Sequence, residues 1–99
     1  MNSISIIEHK KAWDLINQGA RLIDVRTAGE FNEGHIAGAI NISHDQIARK
    51  IGELQLDTQD SIVLYCKSGG RSDFAMKVMQ QMGFAKAVNA GGYEDLLKS

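Results

Sequence analysis

The chain is predicted to fold as one α/β domain in which a central parallel sheet of about five strands carries helices on both faces. Short apolar runs alternate with amphipathic segments along the sequence, the order expected of repeated strand–helix units. The strongest apolar runs are brief and lack polar alternation, as is typical of buried parallel strands. The length of 99 residues, of which 43% are hydrophobic, fits a single domain over residues 1–99 with a sizeable core.

The first half of the chain predicts three strands and three helices. The β-branched residues Ile4, Ile6 and Ile7 indicate a first short strand. Gly19 is a stop signal for the helix that follows. In chain order the predicted elements are a strand at 4–7, a helix at 10–18, a strand at 22–25, a helix at 28–34, a strand at 39–42 and a helix at 45–54.

The second half predicts two more strands and the strongest signal of the sequence. The strand at 62–65 is a continuous apolar run, and the pair Gly69-Gly70 breaks it. A weaker strand is predicted at 85–90, and a last short helix follows at 93–97.

A helix at 72–82 is predicted between these two strands, and Gly83 ends it. Its apolar residues recur at helical spacing, and Met76 points off the face that they form. The predicted buried face consists of Phe74, Ala75, Val78, Met79 and Met82.

The composition argues against several classes of protein. The 11 basic and 12 acidic residues leave a net charge of −1, which gives no basic face for a nucleic acid. No apolar run approaches the ~20 residues of a transmembrane helix, so no membrane partner is expected. One cysteine excludes an intramolecular disulfide and a multi-cysteine metal site, and His9, His35 and His44 lack ligand spacing. No metal site is therefore expected.

The first eight residues lack the basic and then apolar layout of a signal peptide. As the chain stands, this predicts a cytoplasmic protein. A signal peptide removed ahead of Met1 would instead place the protein in the periplasm.

Cys66 is the candidate nucleophile because of its position in the sequence. It directly follows the strand at 62–65 and opens the segment Cys66-Lys67-Ser68-Gly69-Gly70-Arg71-Ser72, which leads into a helix. Such a loop can turn several backbone N–H groups inward, and the helix dipole and two basic side chains add positive potential. The pKa of a cysteine there is expected to be lowered, which makes it a thiolate nucleophile. The alternative, a buried structural cysteine, is disfavoured because the neighbouring residues are not core formers.

Three segments of the chain resemble the single-domain rhodaneses, a family of sulfurtransferases. The segment from Leu22 to Ile42 is similar to the family signature DVR-x-x-x-E-F-x-x-G-H-I-x-G-A-x-N-I. The segment 66–72 resembles the active-site loop, and Asn89-Ala90-Gly91-Gly92-Tyr93 resembles the C-terminal Gly-Gly segment. Family members often have proline where this chain has Ala28 and Ser43, a departure that alters turn stiffness and leaves the active loop untouched.

The resemblance implies a rhodanese-like fold and sulfur transfer by a ping-pong mechanism with catalytic Cys66. The thiolate would take the outer sulfur of a small anionic donor such as thiosulfate and keep it as a persulfide. A thiophilic acceptor would then remove it: cyanide, a small thiol or the thiol of a protein. No cofactor is needed. The implied substrate-binding residues are Lys67, Ser68, Gly69, Gly70, Arg71 and Arg26.

Two of these assignments have structural alternatives. Arg26 is favoured as the ion-pair partner of Asp24, and a role in positioning substrate is the second interpretation. Ser68 and Ser72 are interpreted as hydrogen-bonding groups of the loop and the helix cap.

The resemblance also leaves alternatives for the function. Related phosphatases have five residues between the catalytic cysteine and arginine, whereas four separate Cys66 from Arg71, which favours a single added sulfur over a phosphate. A phosphatase or arsenate reductase is therefore disfavoured. A persulfide carrier or interaction module with little turnover of small donors remains the alternative to an enzyme.

Overall fold

The computed structural model describes residues 3–99 and contains a four-stranded parallel sheet with the strand order β2-β1-β3-β4. The predicted class, a parallel sheet between helices, is confirmed. The strands are β1 (Arg21–Asp24), β2 (Ile40–Asn41), β3 (Ile62–Cys66) and β4 (Ala87–Gly92). The helices are α1 (His9–Asn17), α2 (Ala28–Glu33), α3 (Ile47–Lys50), α4 (Gly70–Gln81) and α5 (Tyr93–Lys98).

Strand β3 lies inside the sheet, and its side chains alternate between two apolar cores. Ile62, Leu64 and Cys66 belong to the core that includes residues of α3 and α4. Val63 and Tyr65 belong to the core on the opposite face, which includes residues of α1 and α5. All five side chains are buried. Because β3 is covered on both faces, its sequence is continuously apolar. Its last residue, Cys66, lies at the carboxyl edge of the sheet.

The predicted strand at 4–7 is wrong, and the sheet has four strands rather than about five. A single backbone hydrogen bond joins this segment to β4, from the Ile7 N–H to the Asn89 carbonyl at 2.9 Å. The Ser5 N–H instead donates to the Asp73 carboxylate on α4 at 3.0 Å. In chain order, the segment therefore first contacts α4, where a side chain takes the place of a strand partner, and it reaches the sheet edge only at Ile7.

Helix α4 packs on the core with part of the predicted face, Ala75, Val78 and Met79, but it is rotated so that the edges of that face differ. Phe74 and Met82 are 54% and 41% exposed, whereas Met76, which was expected to point away, is buried. The helix begins at Gly70, two residues earlier than predicted, and Gly69 rather than Ser72 is its N-cap. The buried side chains of α4 are Ser72, Asp73, Ala75, Met76 and Met79.

The predicted helix at 45–54 is interrupted. Only Ile47–Lys50 is α-helical, and the tighter 3-10 turns His44–Gln46 and Ile51–Leu54 flank it. Ile47 and Ile51 are buried in the core that also contains residues of α4. Within residues 3–99 there is no helix whose length and apolar character would let it cross a membrane.

Candidate active site

Cys66 ends β3 and Gly70 begins α4, so the residues between them form a tight loop, the Cys66 loop, at the carboxyl edge of the sheet. Gly69 has a φ of 103°, a left-handed conformation that glycine adopts without steric cost. This conformation directs the Gly69 N–H to the Cys66 Sγ, at 3.0 Å. The hydroxyl of Ser72, in the first turn of α4, lies 3.2 Å from the same sulfur. The sequence predicted this inward-facing loop, and the structure places it around Cys66.

The sulfur of Cys66 is enclosed, yet its surroundings favour the anion. Cys66 is 1% exposed, and this burial alone raises the pKa of the thiol. Hydrogen bonds from the Ser72 hydroxyl and from the backbone amides of Ser72, Ser68 and Gly69 outweigh the burial, so the pKa of Cys66 lies below its usual value. The arrangement can therefore hold a thiolate, the nucleophilic form of cysteine.

Strand β4 approaches the Cys66 loop closely, and glycine permits the approach. A Cβ at Gly92 would lie 2.5 Å from the carbonyl oxygen of Lys67, too short for any side chain at that position. Gly91 has a φ of 90°, and the Ile6 side chain covers both Gly91 and Gly69. The Gly-Gly segment singled out in the sequence thus has a steric role, because it lets β4 support the loop from behind.

Asn89 on β4 is a site residue to which sequence analysis assigned no role. Its Nδ2 donates to the Gly69 carbonyl at 3.0 Å, and its Oδ1 accepts from the Gly91 N–H at 2.9 Å and from the Ser72 hydroxyl at 2.6 Å. Asn89 is fully buried. A polar residue inside an otherwise apolar strand, beside the Gly-Gly pair, is the sequence signal that could have identified it.

Arg71 lies beside the Cys66 loop, but its guanidinium is already paired. Nη1 and Nη2 of Arg71 donate to the two carboxylate oxygens of Glu30 at 2.8 and 3.1 Å. Glu30 also accepts from the Thr27 backbone N–H at 2.9 Å, in a capping box at the start of α2. The pKa of the Arg71 guanidinium is raised chiefly by its hydrogen bonds to Glu30, and the negative charge of Cys66 makes a smaller contribution. The helix that follows β1 is therefore coupled to the Cys66 loop.

Arg26 is held within the fold by four groups. Its guanidinium donates to both carboxylate oxygens of Asp24, at 2.7 Å for the shortest contact, and to the Gly34 carbonyl. Its Cζ also lies 5.6 Å from the ring centroid of Tyr65 and 4.4 Å from that of Tyr93. The structural interpretation of Arg26 as the partner of Asp24 agrees with this geometry. None of these contacts brings Arg26 to the sulfur.

Lys67 and Ser68 form the exposed rim of the Cys66 loop, and Gly70 lies beside them at the start of α4. Among residues 3–99, Lys67 makes no ion pair with a carboxylate. A polar cavity of about 360 Å³ lies on the Lys67 side of the loop, and Arg26 and Glu30 also line it. A more apolar cavity of about 460 Å³ lies on the side of Gly70, with Phe74 in its wall. The loop thus has space for small molecules on both flanks.

No group of three metal-ligating side chains is found within the described part of the chain. What the site offers is a single sulfur nucleophile, a set of amide donors around it and one exposed lysine. That combination is suited to attack on a small anion, because the amide N–H groups can donate hydrogen bonds to its negatively charged atoms.

Comparison with known proteins places this architecture in a family. A family model described as the rhodanese-like domain matches residues 8–99. The chain is 34% identical over 74 residues to the thiosulfate sulfurtransferase PspE of Escherichia coli, in an alignment that covers 75% of this chain and 71% of that protein. It is 33% identical over 104 residues to the chloroplastic thiosulfate sulfurtransferase 16 of Arabidopsis thaliana, with 89% of this chain and 82% of that protein covered.

A solved structure supports the same relationship. The human single-domain sulfurtransferase TSTD1 superimposes on the chain with a TM-score of 0.85. The alignment covers 98% of each chain, and the sequence identity is 26%.

Proposed function

This chain belongs to the rhodanese-like domain family, and on that premise we propose that it moves sulfane sulfur from a small anionic donor to a thiophilic acceptor through a persulfide on Cys66. The names of its relatives support sulfurtransferase activity in general.

In the first step, the Cys66 thiolate attacks the outer sulfur of thiosulfate. A new bond forms between Sγ and that sulfur, and the sulfur–sulfur bond of thiosulfate breaks with its electron pair on the departing sulfite. The product is a Cys66 persulfide whose negative charge lies on the terminal sulfur. No proton is exchanged with the protein, because the attacking and the product forms of the cysteine are both anions.

In the second step, an acceptor attacks the terminal sulfur of the persulfide. Cyanide forms thiocyanate in this way, and a thiolate forms a persulfide of its own. The bond between the two sulfurs breaks with its electron pair on Sγ, which regenerates the Cys66 thiolate. Sγ is therefore the nucleophile of the first half-reaction and the leaving group of the second. Because sulfite departs before the acceptor reacts, the kinetics are ping-pong.

The Cys66 loop supplies the electrostatic environment for both steps. The donor site comprises Lys67, Ser68, Gly69, Gly70 and Arg71. Lys67 is the exposed cation of this set, whereas the charge of Arg71 is shared with Glu30. The four residues between Cys66 and Arg71 make a loop suited to one added sulfur, in contrast to the five-residue loop of the related phosphatases.

The observation that carries the proposal is the setting of the sulfur. The Gly69 N–H lies 3.0 Å and the Ser72 hydroxyl 3.2 Å from Sγ, and together with neighbouring amides they lower the pKa of the thiol despite its burial. Donors aimed at a position where negative charge develops stabilise an anionic reaction centre. A cysteine that served only to fill the core would have no need of them.

The proposal is tested by comparing wild type with Cys66→Ser and Cys66→Ala. Both variants are expected to lose thiocyanate and sulfite formation from thiosulfate and cyanide, while their unfolding curves stay close to that of wild type. Mass spectrometry of wild type after incubation with thiosulfate should show a gain of one sulfur, ~32 Da, that cyanide removes. Turnover that survives in either variant would contradict the proposal. A persulfide that forms without steady-state turnover would identify the chain as a carrier.

A further inference from the structure

The Ser72 hydroxyl has one proton and three acceptors within reach. Asn89 Oδ1 lies at 2.6 Å, Cys66 Sγ at 3.2 Å and the Gly69 carbonyl oxygen at 3.3 Å. A hydroxyl donates a single hydrogen bond, so these acceptors cannot all be served at once.

The Gly69 carbonyl does not need this proton. It already accepts from Asn89 Nδ2 at 3.0 Å and from the Asp73 backbone N–H at 3.0 Å, which use its two lone pairs. The competition is therefore between the amide oxygen of Asn89 and the sulfur of Cys66.

The orientation of the Asn89 amide follows from its partners. The Gly91 N–H can only donate, so the atom 2.9 Å from it is the oxygen, and the Gly69 carbonyl can only accept, so the atom 3.0 Å from it is the nitrogen. Asn89 thus presents a fixed acceptor to Ser72, in a fully buried position where the hydrogen bond is not exchanged with water.

We propose that Asn89 is a positioning residue for sulfur transfer, because its amide oxygen holds the Ser72 hydroxyl while the Cys66 sulfur is uncharged and releases it when that sulfur becomes an anion. This inference rests on the proposed function, in which Sγ alternates between a thiolate and the inner, uncharged sulfur of a persulfide. In the persulfide and in the protonated thiol, Ser72 donates to Asn89. In the thiolate, the hydroxyl rotates toward Sγ, and Asn89 keeps the Gly91 N–H.

The arrangement has a measurable consequence. When the thiolate forms, Ser72 breaks its hydrogen bond to Asn89. The free energy by which Ser72 stabilises the thiolate is therefore reduced by the free energy of that broken bond. Removing the amide oxygen should therefore favour the thiolate. If Asn89 only tied Gly69 and Gly91 together, its removal would loosen the amides around Sγ and disfavour the thiolate. The two roles predict opposite signs.

The charged groups around Cys66 do not interfere with such a measurement. Arg71 on α4 and Arg26 after β1 stay protonated, and Glu30 on α2 has its pKa held at about 2, chiefly by Arg71. Lys67 is the remaining charged group of the Cys66 loop, Asp24 is bound to Arg26, and β4 has no ionisable side chain. His44 faces Phe74 of α4 on the flank of the loop, so the titration is followed by the absorbance of the thiolate itself. Cys66, the one cysteine of the chain, is the source of that signal between about pH 5 and 9.

The test is a cycle of Asn89→Ala, Ser72→Ala and the double variant, followed by thiolate absorbance and by the rate of alkylation. When Ser72 is present, Asn89→Ala should raise the thiolate-to-thiol ratio at fixed pH by roughly 3- to 10-fold, the worth of one hydrogen bond. In the Ser72→Ala variant, the same change at Asn89 should not raise the ratio. A fall in the ratio, or an equal rise with and without the Ser72 hydroxyl, would overturn the inference.

Asn41→Ala is the matched control. Asn41 is also an asparagine at the carboxyl edge of the sheet whose Nδ2 bridges two carbonyls, those of Asp24 and Arg26, at 3.0 and 2.9 Å. Because its amide bonds to the loop after β1 and not to Ser72, the thiolate ratio should stay within about twofold of wild type.

A second measurement covers the case in which Asn89→Ala does not fold. In wild type, the NMR signals of the Asn89 side-chain amide and the Gly91 N–H should shift along the titration of Cys66, and Ser72→Ala should abolish most of that shift. Signals that do not move in wild type, or that move equally in Ser72→Ala, would contradict the inference. None of these measurements uses a sulfur donor or acceptor, so a failed sulfurtransferase assay would contradict the proposed function alone.

Discussion

The loops that follow β1 and β3 leave neighbouring parallel strands at the same edge of the sheet, and they handle charge in opposite ways. In the loop after β1, Arg26 is enclosed by Asp24 and by the rings of Tyr65 and Tyr93. In the loop after β3, the ionisable group is the Cys66 sulfur, and backbone amides point at it. The first loop contains a cation whose partners all belong to the fold, and the second contains hydrogen-bond donors that point at the Cys66 sulfur.

This difference shows why a basic side chain near a site is a poor guide to anion binding. A guanidinium with a buried carboxylate and two aromatic faces as partners is part of the fold, whereas amides fixed by a strand–helix junction stay available to an anion. Arg71 is intermediate, because it borders the Cys66 loop and yet is paired with Glu30 from the helix after β1. The contrast can be tested by changing one group at a time.

The largest effect is expected for Arg26→Met, and it is an effect on stability. The change leaves the Asp24 carboxylate fully buried without its cation, and breaking a buried pair typically costs about 3–5 kcal/mol of the free energy of unfolding. Urea unfolding measures the loss, and Arg21→Met, at an exposed position on β1, is the control.

The kinetics of the same variant show whether Arg26 also binds the donor. If Arg26 is structural, the folded fraction of Arg26→Met should use thiosulfate with a KM within about twofold of wild type. A KM that rises while stability is unchanged would assign Arg26 to the donor site and contradict the contrast between the loops.

The next largest effect is expected for Gly92→Ala, which places a side chain between β4 and the Cys66 loop. The added Cβ would meet the Lys67 carbonyl oxygen at 2.5 Å, so the loop must shift. A displacement on the order of 1 Å at a reacting centre can lower the rate about 100-fold. Thiosulfate:cyanide kinetics measure the loss. Gly52→Ala is the control, because nothing lies within 4 Å of its Cβ position, and activity close to wild type in Gly92→Ala would show that the loop does not need this support.

The sequence predicted the Cys66 loop well because its determinants are local. An apolar strand, a Gly-Gly pair and an amphipathic helix adjoin one another, and the loop between Cys66 and Gly70 lies where that order places it. The alternation of strands and helices likewise predicted the parallel sheet.

Features that depend on tertiary contacts could not be predicted from the sequence. The residues at 4–7 have a strand-like pattern, but the Ser5 N–H bonds to the Asp73 side chain, which sequence spacing does not reveal. The rotation of α4 follows from Ser72 facing Cys66 and Asn89 rather than from the apolar periodicity, which favoured a face containing Phe74. Hydrogen bonds between distant residues decided both cases.

Arg71→Ala should have a smaller effect, mainly on donor binding. The pair with Glu30 is partly exposed, with side-chain exposures of 29% and 27%, so its loss should cost about 1 kcal/mol or less in stability. Loss of the charge beside Cys66 should lower kcat/KM for thiosulfate roughly 5- to 20-fold, and less at high salt. Arg49→Ala, an exposed arginine on α3, controls for net charge. Equal losses in the two variants would point to long-range steering rather than to a local role.

Glu30→Gln should have the smallest effect, and it tests whether the two loops are coupled. Arg71, followed by the Thr27 backbone N–H, holds the pKa of Glu30 at about 2, below the usual 4.5. Because the pKa is lowered in the folded state, this stabilisation is fully present above about pH 4.5 and disappears as the pH falls toward 2. It should amount to ~1 kcal/mol or less at this partly exposed pair. Glutamine preserves the capping box, so unfolding curves at pH 7 and pH 3 isolate the charge. The variant should lose less stability between these pH values than wild type or the exposed control Glu53→Gln. An identical loss would mean that the ion pair between α2 and α4 contributes nothing to stability. The amides would then hold the Cys66 loop without help from α2.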